Sequence, residues 1–171
     1  MKYTFKSLAV AALVVALAGC AGYRVGNISG QEVQGIRTIY IPTAKNESYM
    51  PGLQTTVANA VARRISNDGT LATGGSDADA QLDITITDVR RNSVRSARTD
   101  VLITAQFEVQ IEARITLTNK RLGKKVIDGE SFFGRTQFYI QQDAIEGERQ
   151  ALPLAAEDLA YNIVKRITEG W

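Results

Sequence analysis

From Val101 to Leu117 every second residue is apolar: Val101, Ile103, Ala105, Phe107, Val109, Ile111, Ala113, Ile115 and Leu117. Most residues between them are Thr, Gln, Glu or Arg. A helical period carries apolar positions around the axis and cannot produce this pattern, whereas a strand repeats every two residues. The stretch therefore predicts one long strand with a dry face and a wet face. The dry face must be covered.

Two segments can supply the cover. Leu53, Val57, Val61 and Ile65 recur at four-residue spacing with Ala58 and Ala60 beside them, which predicts an amphipathic helix. Pro51 is placed to open it in the first turn, and Asn67-Asp68-Gly69 to close it with residues that tolerate left-handed geometry. A second helix is predicted over Ala144–Thr168, with Leu152, Ala156, Leu159, Ala160, Ile163 and Ile167 on one face. Pro153 either kinks that helix or starts its well-formed part.

Three further strands are predicted. Ile36 to Ile41 is β-branched and is stopped by Pro42, after which Thr43–Met50 reads as a polar loop. Ala80, Leu82, Ile84 and Ile86 alternate with polar residues, after a loop from Thr70 to Ala78. Val126–Phe138 follows the turn Asn119–Gly123, with Gly129 and Gly134 read as bulges. The order β-α-β-β-β-α predicts an α+β two-layer sandwich, a four-stranded, mostly antiparallel sheet with two helices on one face. Residues 35–171 are expected to form this single domain.

The front of the chain has a different character. Lys2 and Lys6 precede an uninterrupted apolar run, Leu8–Leu17, about half the ~20 residues a membrane-spanning helix needs. This is the layout of a secretory leader, predicted over residues 1–19. The run ends in Leu17-Ala18-Gly19-Cys20, which resembles a bacterial lipobox, so Cys20 is expected to carry a diacylglycerol thioether and an N-acyl chain. A buried free thiol or an intermolecular disulfide is the other reading of a single cysteine. Its place beside the apolar run, with no core to bury it, favours lipid. Residues 20–34, with Gly22, Gly26 and Gly30, read as the lipidated N-terminus and a tether. Ala21 in place of Asp after the cysteine resembles sorting to the outer membrane, on its periplasmic side.

Removing the leader, with its two lysines and no acid, from 20 basic and 18 acidic residues leaves 18 of each. A neutral mature chain gives no basis for nucleic-acid binding. Catalysis has little to stand on, since there is no histidine and the one cysteine is committed to lipid. Asp77, Asp79 and Asp83 lack a calcium-loop pattern and read as a solvated strand entrance rather than a metal site. No cofactor beyond the covalent lipid and no metal is expected. Phe132, Phe133, Phe138 and Tyr139 are expected to divide between core and sheet surface.

Several stretches in order resemble the lipopolysaccharide-assembly lipoprotein family LptE. They are Cys20-Ala21-Gly22-Tyr23-Arg24-Val25-Gly26; Gly35-Ile36-Arg37-Thr38-Ile39-Tyr40-Ile41-Pro42 leading through Asn46 to Pro51-Gly52-Leu53; Ala78-Asp79-Ala80-Gln81-Leu82-Asp83-Ile84; and the closing Ala155-Ala156-Glu157-Asp158-Leu159-Ala160. Ala21 replaces the family's usual glycine. The resemblance implies a non-enzymatic outer-membrane lipoprotein that plugs the β-barrel LptD and helps deliver lipopolysaccharide to the outer leaflet. It also gives weight to Arg90, Arg91, Arg95 and Arg98, a basic run between Asp88 and Asp100 expected at a hairpin tip or its shoulders. Guanidinium groups suit lipopolysaccharide phosphates. A solvated hairpin, or salt bridges to a barrel, is the alternative. Lys120, Arg121, Lys124 and Lys125 form a second basic turn, read chiefly as keeping an exposed hairpin soluble, with phosphate contact as the lesser alternative. The competing function is a periplasmic lipoprotein of another kind, one that activates a peptidoglycan synthase or builds a secretion pore.

Overall fold

The computed structural model describes residues 33, 35–95, 105–140 and 144–169. The leader, Cys20, nearly all of the tether, Arg98, Val101 and Ile103 lie outside the described residues.

Three long strands dominate: β4 (Ala80–Arg95), β5 (Ala105–Asn119) and β6 (Lys124–Ile140). They form an antiparallel meander in which Ile84 faces Ile115 and Ile111 faces Gly134. Beside β4 lie β1 (Thr38–Tyr40) and β2 (Lys45–Asn46), both parallel to it, and β3 (Ala72–Thr73) pairs with β1. Among the described residues the sheet order is β3-β1-β4-β5-β6, with β2 also on β4.

The expected strand over residues 36–41 is thus shorter, and the loops after it hold two more pairings. Pro42 has no N–H for the ladder, so pairing along β4 stops after Tyr40 and resumes at Lys45. Two-residue strands carry no alternation long enough to read from sequence.

Helices α1 (Leu53–Asp68) and α2 (Ala144–Glu169) cover one face. Leu53, Val57, Ala60, Val61 and Ile65 of α1 are buried, as the four-residue spacing predicts. The helix starts two residues after Pro51, because Gly52 takes φ 86° and breaks the helical path. It ends at Gly69, φ 75°, whose N–H bonds the Ile65 carbonyl at 3.2 Å. Helix α2 runs through Pro153 and buries Ala155, Ala156, Leu159, Ala160, Ile163, Val164 and Ile167. Leu152 is only half-buried, and Ala151 takes the core position.

On β5, Val109, Ile111, Ala113, Ile115 and Leu117 are all fully buried beneath these helices. The alternation meant what it appeared to mean. Gly129, at φ 68°, is a bulge, the extra residue between Asp128 opposite Thr116 and Glu130 opposite Ile115. Gly134 is not a bulge. A Cβ there would stand 2.2 Å from the Ala155 carbonyl oxygen and 2.4 Å from the Leu159 nitrogen. It is glycine because the backbone of α2 lies directly on β6.

Candidate functional site

Arg90 and Arg91 lie within β4 rather than at a hairpin tip, since β4 continues to Arg95. Adjacent strand residues point to opposite faces, and that separates them. Arg91 pairs with the inward Val109 and lies on the helix side. Its guanidinium donates to Glu148 of α2 at 3.1 Å and sits over the Phe107 ring at 5.8 Å. Arg90 pairs with Gln110 on the open side, 2.7 Å from Asp88 and 3.7 Å from Glu112. Arg95 is paired with Gln106 at the end of β4, past a register shift after Ser93. Arg98 lies outside the described residues.

The open side carries cross-strand rows that local sequence cannot display. One runs Arg90–Gln110–Arg135, the next Asn92–Glu108–Gln137, and the next includes Gln106 and Tyr139. Arg135 joins this face although nothing in its local sequence singles it out, because only the β5–β6 register brings it there. Its guanidinium lies 5.9 Å from the Phe133 ring centre. Phe133 and Tyr139 are exposed on the open side, whereas Phe138 is buried and Phe132 half-buried, the division expected of the four aromatics.

Strand β6 is a sheet edge, and α2 reaches over it. The Asp158 carboxylate accepts the Arg135 N–H at 2.9 Å, and the Asn162 side-chain N–H donates to the Phe133 carbonyl at 2.9 Å. Both groups would otherwise offer a ladder to another strand. An open groove of ≈ 500 Å³ lies here, lined in part by Glu130, Phe133, Asp158 and Arg166. Glu130 and Arg166 pair across it at 3.3 Å.

At the opposite end from Arg95, Asp79 has a structural role. Its carboxylate accepts the N–H groups of Arg37 and Thr38 at 2.9 and 3.1 Å and pairs with Arg121 at 2.9 Å. The Asp79 N–H donates to the Thr38 hydroxyl at 3.0 Å. The bonds from Arg37 and Thr38, and then the Arg121 charge, hold its pKa below the ordinary aspartate value. This staple joins two of the stretches on which the family resemblance rests. Further along the first of them lies Asn46, whose side chain bonds the Met50 carbonyl at 2.7 Å and Gln54 at 3.1 Å, shaping the entrance to α1.

The family model described as "LptE: Lipopolysaccharide-assembly" matches residues 36–167, most of the chain. The chain belongs to the LptE family. LptE proteins are non-catalytic lipoproteins of lipopolysaccharide assembly, which agrees with a lipid-anchored place in the cell envelope. Among solved structures, the hypothetical protein CT253 from Chlamydia trachomatis is similar, at 13% identity and TM-score 0.55, over 80% of this chain and 97% of that one. A neuraminyllactose-binding hemagglutinin homolog from Helicobacter pylori is similar at 10% identity and TM-score 0.52, over 86% and 93%. At such identities these two speak for the fold alone. No curated protein gives a significant sequence match.

Proposed function

We propose that this LptE-family chain is an outer-membrane lipoprotein that partners and plugs an LptD-like β-barrel and assists delivery of lipopolysaccharide to the outer leaflet. The match over residues 36–167 carries this reading. The sheet is consistent with it. One face is committed to the helices, and the other presents long rows of Gln, Glu, Arg and Thr that can hydrogen-bond a barrel lumen as readily as water. Lipid on Cys20 would hold the chain at the periplasmic side of the outer membrane, since two or three acyl chains anchor durably where one does not.

Within this reading Arg90, Arg91, Arg95 and Arg98 contact lipopolysaccharide phosphates. Arg90 and Arg135 lie in one row across the open face, and Arg95 follows toward the end of β4. Arg91 also ties β4 to α2 through Glu148.

The decisive experiment is a pulldown from detergent-solubilised outer membrane with tagged, lipidated protein. Recovery of a large outer-membrane barrel is expected. Recovery of a penicillin-binding protein, or of a homo-oligomeric ring instead of a barrel, would refute the proposal. For the phosphate contacts, an Arg90→Glu, Arg95→Glu variant should bind lipopolysaccharide more weakly at low salt. Unchanged affinity at both low and moderate salt would remove the arginines from that role.

A further inference from the structure

The turn between β5 and β6 stands beside the point where the tether enters the fold. Val33 is buried at 3% exposure, so the chain is gripped just before the described sheet begins. Two residues later the Gly35 carbonyl accepts a hydrogen bond from the Arg121 guanidinium at 2.6 Å, and the same guanidinium pairs with Asp79. Only residues 21–32 separate Val33 from Cys20. At ~3.4 Å per residue even a fully extended chain of that length reaches only about 45 Å. A lipid on Cys20 therefore keeps this end of the domain close to a bilayer.

The turn itself is rigidly built. The Asn119 side-chain oxygen accepts the N–H groups of Arg121 at 3.0 Å and Leu122 at 3.2 Å, and Gly123 takes φ 62°. These bonds hold Leu122 outward at 75% exposure. Its neighbours divide by task. Lys120 is bound to the Ser76 carbonyl and lies over the Tyr40 ring, and Arg121 is held as described. Lys124 has no ion pair among the described residues, and Lys125 has only an exposed pair with Asp128 at 2.8 Å. Asp79 and Asp128 are thus taken up by cations, and Asp77 is the remaining acid on the adjoining turn. An apolar tip backed by Lys124, and by Lys125 in a single solvent-exposed pair that headgroup phosphates can compete for, has the make-up of an interfacial membrane anchor.

We infer that the β5–β6 turn docks on an anionic phospholipid surface, Leu122 entering the interface while Lys124 and Lys125 meet headgroup phosphates. Tethering makes so small a contact sufficient, because it becomes intramolecular with a high effective concentration. The docking would also fix the orientation of the sheet to the membrane at two points, which one flexible tether cannot do. This inference rests on the acylation of Cys20, and the test separates the two.

The test uses the processed, lipidated chain reconstituted in vesicles. Leu122→Cys is labelled with an environment-sensitive dye, and Leu154→Cys, at 60% exposure on α2, serves as the reference position. In vesicles containing phosphatidylglycerol, a lipid-borne quencher should act several-fold more strongly at position 122 than at 154. Pure phosphatidylcholine, high salt, or an added Lys124→Glu, Lys125→Glu pair should each reduce that difference. Equal quenching at both positions while the protein still floats with the vesicles after a salt wash would overturn the docking and leave acylation standing. Loss of flotation in the wash would instead remove the acyl anchor, and the docking with it. Shielding of position 122 that appears only when solubilised outer-membrane barrels are added would reassign the turn to a protein partner.

Discussion

The two faces of the sheet are made from the same three strands and behave as different materials. Beneath the helices, Ile84, Ile86, Ile111, Ile115 and Leu117 are all but inaccessible, and α2 comes so close that Gly134 has no room for a side chain. On the open side, Asp88, Arg90, Gln110, Glu112 and Arg114 are half-buried or exposed, and Arg90 pairs sideways with Asp88 and Glu112. Stability is concentrated on the first face, while the second is free to be specified by a partner. The difference shows that β5, with its strict alternation, fixes the architecture without fixing the binding chemistry.

The largest test of that division is Gly134→Val. The new Cβ would meet backbone atoms of α2 on its way to any rotamer, so the helix must lift from β6. The expected loss exceeds about 4 kcal/mol, and denaturant unfolding would read it. Gly129→Val is the control. It is strained at φ 68° but has only the flexible end of Arg114 nearby, so about 1–2 kcal/mol is expected. Similar losses at the two sites would mean that α2 does not pack as tightly as described.

Next in size is the contrast along β5 itself. Ile111→Ala should cost about 2–5 kcal/mol, because it opens a cavity among fully buried neighbours. Glu108→Ala, three residues away and on the open side, should fall within about 0.5 kcal/mol. Comparable losses would erase the distinction between the faces.

Arg90 and Arg91 sharpen the comparison at the level of single neighbours. Arg91→Ala leaves the nearly buried Glu148 without its partner and should cost about 1–2 kcal/mol. Arg90→Ala removes exposed pairs and should be close to neutral. Lipopolysaccharide binding should reverse the order, with Arg90→Ala the more damaging. If both variants lose stability and binding alike, the faces are not separable at this position.

The sequence made some of this readable and hid the rest for physical reasons. Periodicity reports burial, so β5 and the covered face were visible in the alternation from Ala105 to Leu117, α1 in the Leu53–Ile65 spacing and α2 in the Ala156–Ile167 spacing, whereas the extension of β4 to Arg95 was not. Register reports nothing locally, so the Arg90–Gln110–Arg135 row could not be seen before the strands were aligned. The basic run looked like one cluster because residues close in sequence are close in space. In a strand they are also on opposite sides, and that divided Arg90 from Arg91. Gly134 resembled a bulge because bulges and close backbone approach both call for glycine, and only the position of α2 distinguishes them.

Asp79 belongs to neither face, and its expected effect is the smallest. It joins the start of β4 to β1 by accepting N–H bonds from Arg37 and Thr38 while Arg121 adds a favourable charge. All of these favour the ionised carboxylate, so its pKa lies lower in the folded chain than in the unfolded one. The stabilisation is present in full above the unfolded value, about 4, and fades as pH falls through the folded value. Asp79→Asn should therefore separate from the parent chain by a constant margin at neutral pH, and the margin should shrink steadily under acid. Unfolding midpoints measured from neutral pH downward would follow this. A margin that stays the same to the lowest accessible pH would mean that the side chain works by shape alone, and that its charge contributes nothing to holding β1 against β4.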